Sequence, residues 1–144
     1  MDLVITEEDK PEIERVLAIM DELVRKVGPD YVYEKFIKLD QKSQIASCWY
    51  LDNDGKCSCI IGHVLKELGW SMEDIAMVEG STPSSGLSSH GMHPKASLFW
   101  KRLRPNTLRI LGIVQSGQDS YRPYTWKGAV ESGRRWYEDH LVKA

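Results

Sequence analysis

The chain has 144 residues, of which 42% are hydrophobic and 28% charged, and this length and composition are typical of one globular domain and exclude a wholly disordered chain. No apolar run approaches the roughly 20 residues of a membrane-spanning helix, and the start, Met1-Asp2-Leu3, lacks the basic and apolar pattern of a signal peptide. Three cysteines without an export signal predict reduced thiols, so we expect a cytoplasmic protein that does not enter a membrane.

The charge is divided unevenly along the chain. Residues 1–80 carry 9 basic and 17 acidic side chains, a net charge of −8, whereas residues 81–144 carry 10 basic and 4 acidic side chains, a net charge of +6. This asymmetry predicts an anionic partner for the second half. The alternative is that the two halves attract each other within the fold.

The first elements are a helix and a hairpin. Apolar residues at steps of three and four predict a helix from Asp9, as its cap, to Val27. The aromatic and β-branched segment 31–33 favours a strand, although 34–39 fits a helix equally well, and 45–51 is typical of a second short strand. Together they predict a small antiparallel β-hairpin, followed by a turn at Asp52-Asn53-Asp54-Gly55.

Short helices and a polar loop are predicted next. Ser58 is expected to cap a helix that extends to Leu68. Ser71 and Asp74 resemble a capping box, which predicts a short helix over 72–78. The Ser/Gly-rich stretch 80–95 predicts an exposed loop at the point where the charge changes sign. The alternative is an ordered functional loop, since connections this long are uncommon without a reason.

The last third is predicted to be helical. Helices are expected over 96–103, over 106–118, and from Thr125, as cap, along an apolar stripe that begins at Trp126. All these elements together predict a single domain over 1–144 with an α+β fold: mainly helical, with a small antiparallel β-hairpin. A subdivision of this domain at loop 80–95 is the alternative.

Two blocks of the sequence resemble a known family. The first contains Tyr31-x-Tyr33, Cys48-x-Tyr50 and Gly55-x-x-Ser58-Cys59-Ile60-Ile61-Gly62-His63-Val64-Leu65, and the second contains Gln115-x-x-Gln118-Asp119 and Trp126-x-x-Ala129. Both are similar to small proteins of unknown function encoded by actinobacteriophages, mycobacteriophages among them. The chain departs from that pattern at Cys57, where the family often has proline, and in 36–42, which is usually richer in glycine. The resemblance implies a phage or prophage product that acts inside a bacterial cell, and it implies no reaction.

A cysteine and histidine cluster is the sharpest candidate for chemistry. In Cys57-x-Cys59-x-x-x-His63, Cys59 and His63 are four residues apart and share a helix face. Thiolates and imidazole at this spacing predict a zinc site, with Cys48 as the fourth ligand or with a loop histidine in its place. A thiol enzyme with His63 as base is another interpretation. The alternative is packed thiols beside a hydrogen-bonded histidine.

The basic second half suggests nucleic-acid binding. Cations bind phosphate through charge and counterion release, and the aromatic residues among them can stack on bases. The predicted nucleic-acid-binding residues are Lys101, Arg102, Arg104, Arg109, Arg122 and Lys127. Against this, the chain's pI near 6.1 is far below that of a typical nucleic-acid-binding domain.

The hypothesis that the sequence favours is a non-catalytic, phage-type accessory protein that binds a host protein inside the bacterial cell. It depends on the charge asymmetry, the Ser/Gly-rich loop and the resemblance. Nucleic-acid binding through 95–135 is the first alternative, and a Cys/His zinc site or thiol enzyme is the second.

Overall fold

Helices dominate the architecture. The computed structural model describes residues 4–33, 50–52, 54–87, 94–119 and 124–141, and 68% of these described residues are helical. A 3₁₀ helix, Pro83–Leu87, lies between the third and fourth α-helices. The α-helices of the described part are α1 (Lys10–Val27), α2 (Ile60–Glu67), α3 (Met72–Val78), α4 (Pro94–Trp100), α5 (Pro105–Asp119) and α6 (Trp126–His140).

The predicted α+β class is wrong, because the described residues contain no β-strand and no sheet. Their only extended pairings are two isolated bridges, Ile5 with Leu141 and Leu51 with Cys57. Tyr31 is irregular chain whose carbonyl accepts a hydrogen bond from the Trp126 N–H at 3.0 Å, and its ring lies edge-on to Trp126 at 4.7 Å. Strand propensity reflects packing of aromatic side chains on a half-buried surface, and here a helix provides that surface.

The rest of the predicted hairpin, residues 34–49, lies outside the described residues. Tyr50 and Leu51, the last residues of the predicted second strand, are hydrogen-bonded to Glu79 at the C-terminus of α3. The Glu79 carboxylate accepts hydrogen bonds from the Tyr50 N–H at 2.7 Å and from the Leu51 N–H at 3.0 Å. The predicted turn after them is confirmed, since the Gly55 N–H donates to the Asp52 carbonyl and Gly55 has a φ of 75°, a value that glycine accommodates without strain.

The helix α1 confirms the periodicity of the first segment. Its apolar stripe, Ile13, Val16, Leu17, Met20 and Leu23, is buried in the hydrophobic core. Asp9 is the N-cap residue, as predicted, but its side chain makes no capping bond to α1. Asp9 instead accepts hydrogen bonds from the Thr6 N–H, Arg104 Nε and Asn106 Nδ2.

The start of α2 is set by a residue that lies far along the chain. Cys59, not Ser58, is its N-cap residue, and its side chain makes no capping bond. The buried Gln118 Oε1 of α5 accepts the Ile60 N–H at 3.1 Å and also accepts Trp126 Nε1 at 2.9 Å. The Ser58 hydroxyl instead pairs with the Tyr33 hydroxyl at 2.8 Å. The capping box of α3 is confirmed at Ser71 and Asp74.

The helices α5 and α6 pack closely and run antiparallel. A Cβ at Gly133 would lie 2.8 Å from Val114 Cγ2, and a Cβ at Gly117 would lie 3.2 Å from Ala129 Cβ. Because the early part of α5 faces the late part of α6 and the reverse, the two helices point in opposite directions. The glycines at these positions allow the close approach.

The segment after α3 is partly buried, contrary to its prediction as an exposed loop. Ser81, Pro83 and Gly86 are buried, whereas Thr82, Ser84 and Leu87 are exposed. A Cβ at Gly86 would lie 2.7 Å from Trp100 Cβ, so the 3₁₀ helix packs directly on α4. Residues 88–93 of the predicted loop lie outside the described residues.

Within the described ranges, no helix combines the length and hydropathy needed to cross a bilayer.

A candidate binding groove

An open groove of about 720 Å³ lies where the 3₁₀ helix, α5 and α6 meet. This volume falls within the range of about 300–1,000 Å³ that is usual for ligand sites. The groove is lined from one side by the 3₁₀ helix and from the other by α6. The face of α5 that contains Arg109, Gly112, Ile113 and Ser116 lines it between them, and Tyr124 closes the end at the C-terminus of α5.

The side of the groove formed by the 3₁₀ helix combines hydroxyl groups with one large apolar side chain. The hydroxyls of Thr82 and Ser84 are 2.7 Å apart and bond to each other. Leu87 lines the groove and is 39% exposed. Pro83 and Gly86, on the opposite face of the same helical turn, are buried in the fold. The face with Ser84 and Leu87 is therefore directed away from the core and into the groove.

The side formed by α6 contains the Trp136 ring, whose position is fixed by stacking on His140. The Trp136 and His140 rings stack with centroids 4.3 Å apart, and His140 Nδ1 donates to the Trp136 carbonyl at 2.8 Å. The Ser132 hydroxyl, one turn earlier, donates to the Gly128 carbonyl at 3.2 Å. Tyr124 is 50% exposed and is anchored by a hydrogen bond from its N–H to the Gly117 carbonyl.

The cation of the groove is Arg109. Its Nη1 donates to Asn106 Oδ1 at 2.9 Å, and its side chain is partly buried. No carboxylate among the described residues forms a salt bridge with it. Two nearby arginines do form salt bridges: Arg102 pairs with Asp74 at 3.0 Å, and Arg104 pairs with Asp9 at 2.6 Å.

The residues predicted to bind nucleic acid do not lie in one place. Arg102 also lies 4.4 Å from the centre of the Phe99 ring, so its cation is engaged by an aromatic ring as well as by a carboxylate. Lys101 and Lys127 are both exposed. They precede α5 and begin α6, respectively, so they lie near opposite ends of an antiparallel pair that is about 20 Å long at 1.5 Å per residue. Arg122 lies outside the described residues.

The ion pairs between the two halves agree with the alternative interpretation of the charge asymmetry. Arg102, Arg104 and Arg134, all from the basic half, bond to carboxylates of the acidic half. Internal attraction therefore accounts for part of the asymmetry, and the nucleic-acid surface stays a prediction.

The cysteine and histidine cluster is partly internal. Cys59 is fully buried and Cys57 partly buried. Burial raises the pKa of the Cys57 thiol, which favours the protonated form over a nucleophilic thiolate. Burial lowers the pKa of His63, with Lys66 adding to the effect, and the His63 ring lies edge-on to Trp126 at 5.9 Å.

No metal-binding group of three or more histidine, cysteine or acidic side chains is found within the described ranges. Cys48, the proposed fourth zinc ligand, lies outside them. The zinc site and the thiol enzyme both stay predictions.

The groove itself was not anticipated, apart from Arg109. The sequence predicts Trp136 only as part of the apolar stripe of α6 and Tyr124 only as one of the aromatic residues of the basic segment 95–135, and it assigns no role to Leu87. One feature of the sequence lies on this face: Gly112 is an isolated glycine within a helical pattern, where glycine weakens the helix.

Comparison with known proteins adds no relative. No protein-family model matches the chain, and neither curated proteins nor solved structures provide a match.

Proposed function

We propose that this chain is a non-catalytic binding protein that engages a partner protein through the groove between the 3₁₀ helix, α5 and α6. The observation that carries the proposal is the exposure of two large apolar side chains in that groove, Leu87 at 39% and Tyr124 at 50%. Contiguous apolar surface rimmed by polar groups is typical of protein interaction sites, and tyrosine and tryptophan are enriched there. Ile113 and Trp136 add apolar surface to the same groove.

The hydroxyl groups of the groove favour binding over nucleophilic catalysis. An activated serine or threonine needs a general base within hydrogen-bond reach. Thr82 and Ser84 bond to each other, and Ser132 bonds to a backbone carbonyl. These groups therefore act as polar contacts for a partner.

A host protein in a bacterial cell is the partner we propose. The resemblance of the two sequence blocks to actinobacteriophage proteins supports this choice. Nucleic acid is less well supported as a partner, because Arg102 and Arg104 are engaged by carboxylates of the same chain.

Site-specific photocrosslinking tests the proposal. The chain is expressed in an actinobacterium with a photoreactive phenylalanine analogue at Leu87, at Tyr124 or, as a control, at Met77, which is 42% exposed on α3 and does not line the groove. We expect one host protein to crosslink from both groove positions and not from the control. The purified partner should then bind at least about tenfold more weakly to Leu87→Ser and Tyr124→Ser, as for interface residues of moderate importance.

Equal crosslinking from all three positions, or adducts with nucleic acid alone, would contradict the proposal. The first result would indicate non-specific contact, and the second would favour the basic segment as the functional surface.

A further inference from the structure

Gly112 is a helical glycine that the described fold does not require. It lies in the middle of α5, where glycine costs about 0.5–1 kcal/mol relative to alanine. The neighbouring helix-packing glycines are needed, since a Cβ would lie 2.9 Å from Tyr124 Cδ2 at Gly117 and 2.8 Å from Val114 Cγ2 at Gly133. Apart from its chain neighbours and the backbone of its own helix, a Cβ at Gly112 would have no heavy atom within 4 Å, and Gly112 does not have a positive φ.

The position of Gly112 in the groove explains how a missing side chain could favour binding. It lines the groove between Arg109 and Ser116, which are one turn before and one turn after it on the same face of α5. Without a Cβ, the helix surface is lowest at this point, and another backbone can approach it closely. The contact expected here is with the main chain of a bound segment.

Arg109 adds a positive charge beside Gly112, where the bound main chain is expected. It lies three residues from Gly112, is partly buried, and donates Nη1 to the Asn106 side-chain oxygen. Guanidinium carries five donors and is matched best by a carboxylate that accepts two of them. Among the described residues no carboxylate pairs with Arg109, so its guanidinium keeps donors for a bound group. Asp119, the acidic residue of the described lining, lies ten residues further along α5, roughly 15 Å away at 1.5 Å per residue.

We propose that the groove takes an extended segment of the partner protein, whose main chain runs along α5 past Gly112 and whose Asp or Glu carboxylate pairs with Arg109. This inference rests on the proposed function and names the class of segment that the groove accepts. Apolar side chains next to the acidic residue would pack against Leu87 and Trp136. The lining of α5 extends from Leu108 to Asp119, roughly 16 Å at 1.5 Å per residue, which corresponds to about five residues of extended chain.

A library of random twelve-residue peptides displayed on phage provides the probe. It is panned on the full chain, and the enriched sequences are made as synthetic peptides for calorimetry. We expect the enriched sequences to share one Asp or Glu beside apolar residues. Arg109→Gln should weaken their binding about 10- to 100-fold, the loss that corresponds to removing a hydrogen-bonded charge.

Two further variants complete the test. Gly112→Leu should weaken binding by at least about tenfold, because it fills the low point of the groove, and Gly112→Ala should weaken it less while leaving the fold intact. Arg135→Gln is the matched control for charge, since Arg135 is exposed on α6 and does not line the groove. Its peptide affinity should stay within about twofold of the original, as expected for an exposed charge outside the site. Thermal melting of every variant separates lost binding from lost folding.

The outcomes distinguish this inference from the proposed function. Peptides without an acidic residue that bind equally well to Arg109→Gln but fail with Gly112→Leu would overturn the inference and leave the groove as the binding site. Binding that is insensitive to both changes would overturn the inference and the groove together. A library that yields no enriched sequence, or whose peptides are displaced by a fluorescein-labelled twenty-base oligonucleotide, would also overturn the inference.

Discussion

Gly112 and Gly133 lie on the two facing helices α5 and α6 but have opposite surroundings. At Gly133 a Cβ would collide with Val114 and crowd Ile110, whereas at Gly112 it would enter open space. The first glycine therefore serves the packing of the fold. The second lowers the stability of its helix, a loss that agrees with the binding role proposed for the groove.

The two glycines give opposite predictions for substitution by alanine. We expect Gly112→Ala to raise the free energy of unfolding by about 0.5–1 kcal/mol, because the helix gains propensity without a clash. Gly133→Ala should lower it by about 1–3 kcal/mol through overpacking. Urea denaturation of both variants measures the difference, and equal effects would contradict the packing described for α5 and α6.

Gln118 joins three segments through one buried side chain. Its Oε1 accepts hydrogen bonds from the Ile60 N–H and from Trp126 Nε1. Gln118→Leu would leave both donors buried, and each unsatisfied donor costs about 1–3 kcal/mol. We expect chemical denaturation to show a loss of about 2–4 kcal/mol. Ser116→Ala, an exposed change on the same helix, is the control and should stay within about 0.5 kcal/mol of the original stability.

The N-termini of α2 and α3 are stabilised by hydrogen bonds of different origin. The helix α3 depends on adjacent residues, because the Ser71 hydroxyl accepts the Asp74 N–H at 3.1 Å and the Asp74 carboxylate faces the Ser71 N–H. The start of α2 depends on Gln118, which is 58 residues away from Ile60 in the chain. A local pattern can therefore predict the first start but not the second.

The cap of α3 provides a test at this scale. Ser71→Ala removes the acceptor for the Asp74 N–H and should cost about 1 kcal/mol of stability. Ser71→Asn keeps an acceptor at the cap and should cost only a few tenths of a kcal/mol. A difference of less than about 0.3 kcal/mol between the two variants in urea denaturation would contradict the capping role.

For the whole molecule, the acidic first half and the basic second half meet at Asp9. Burial alone would raise the pKa of Asp9, but hydrogen bonds from Arg104, Thr6 and Asn106 outweigh it and lower the pKa from 3.8 to about 2. The unfolded chain therefore binds this proton more tightly than the folded one. The resulting stabilisation is complete above about pH 5 and is lost as the pH falls towards 2.

This linkage gives a prediction for acid denaturation. At about 1.4 kcal/mol per pKa unit, Asp9 contributes on the order of 2 kcal/mol at neutral pH. Asp9→Asn should remove this contribution and flatten the dependence of the free energy of unfolding on pH between 5 and 2. Asp21→Asn, which breaks the exposed pair with Arg134, should change stability by less than about 1 kcal/mol. Equal pH profiles for Asp9→Asn and the original chain would contradict the role of Asp9.

Elements with local causes could be predicted from the residues alone. The apolar stripe of α1, the capping box at Ser71 and the helix that follows Thr125 depend on residues within one or two turns of one another, so periodicity and capping rules located them. Charge can be read directly from residue type, so the sequence also names Arg109, but as a nucleic-acid-binding residue, a role that stays a prediction.

Features that depend on residues far apart in the chain became visible only once the helices were packed together. Tyr31 and Tyr33 favoured a strand, but their partners are Trp126 and Ser58 of a helical fold. The groove exists because the buried face of the 3₁₀ helix places Leu87 opposite α6, and because Gly133 allows α6 to approach α5. Contacts of this kind depend on how helices pack in three dimensions, which no local pattern of hydrophobicity or propensity specifies.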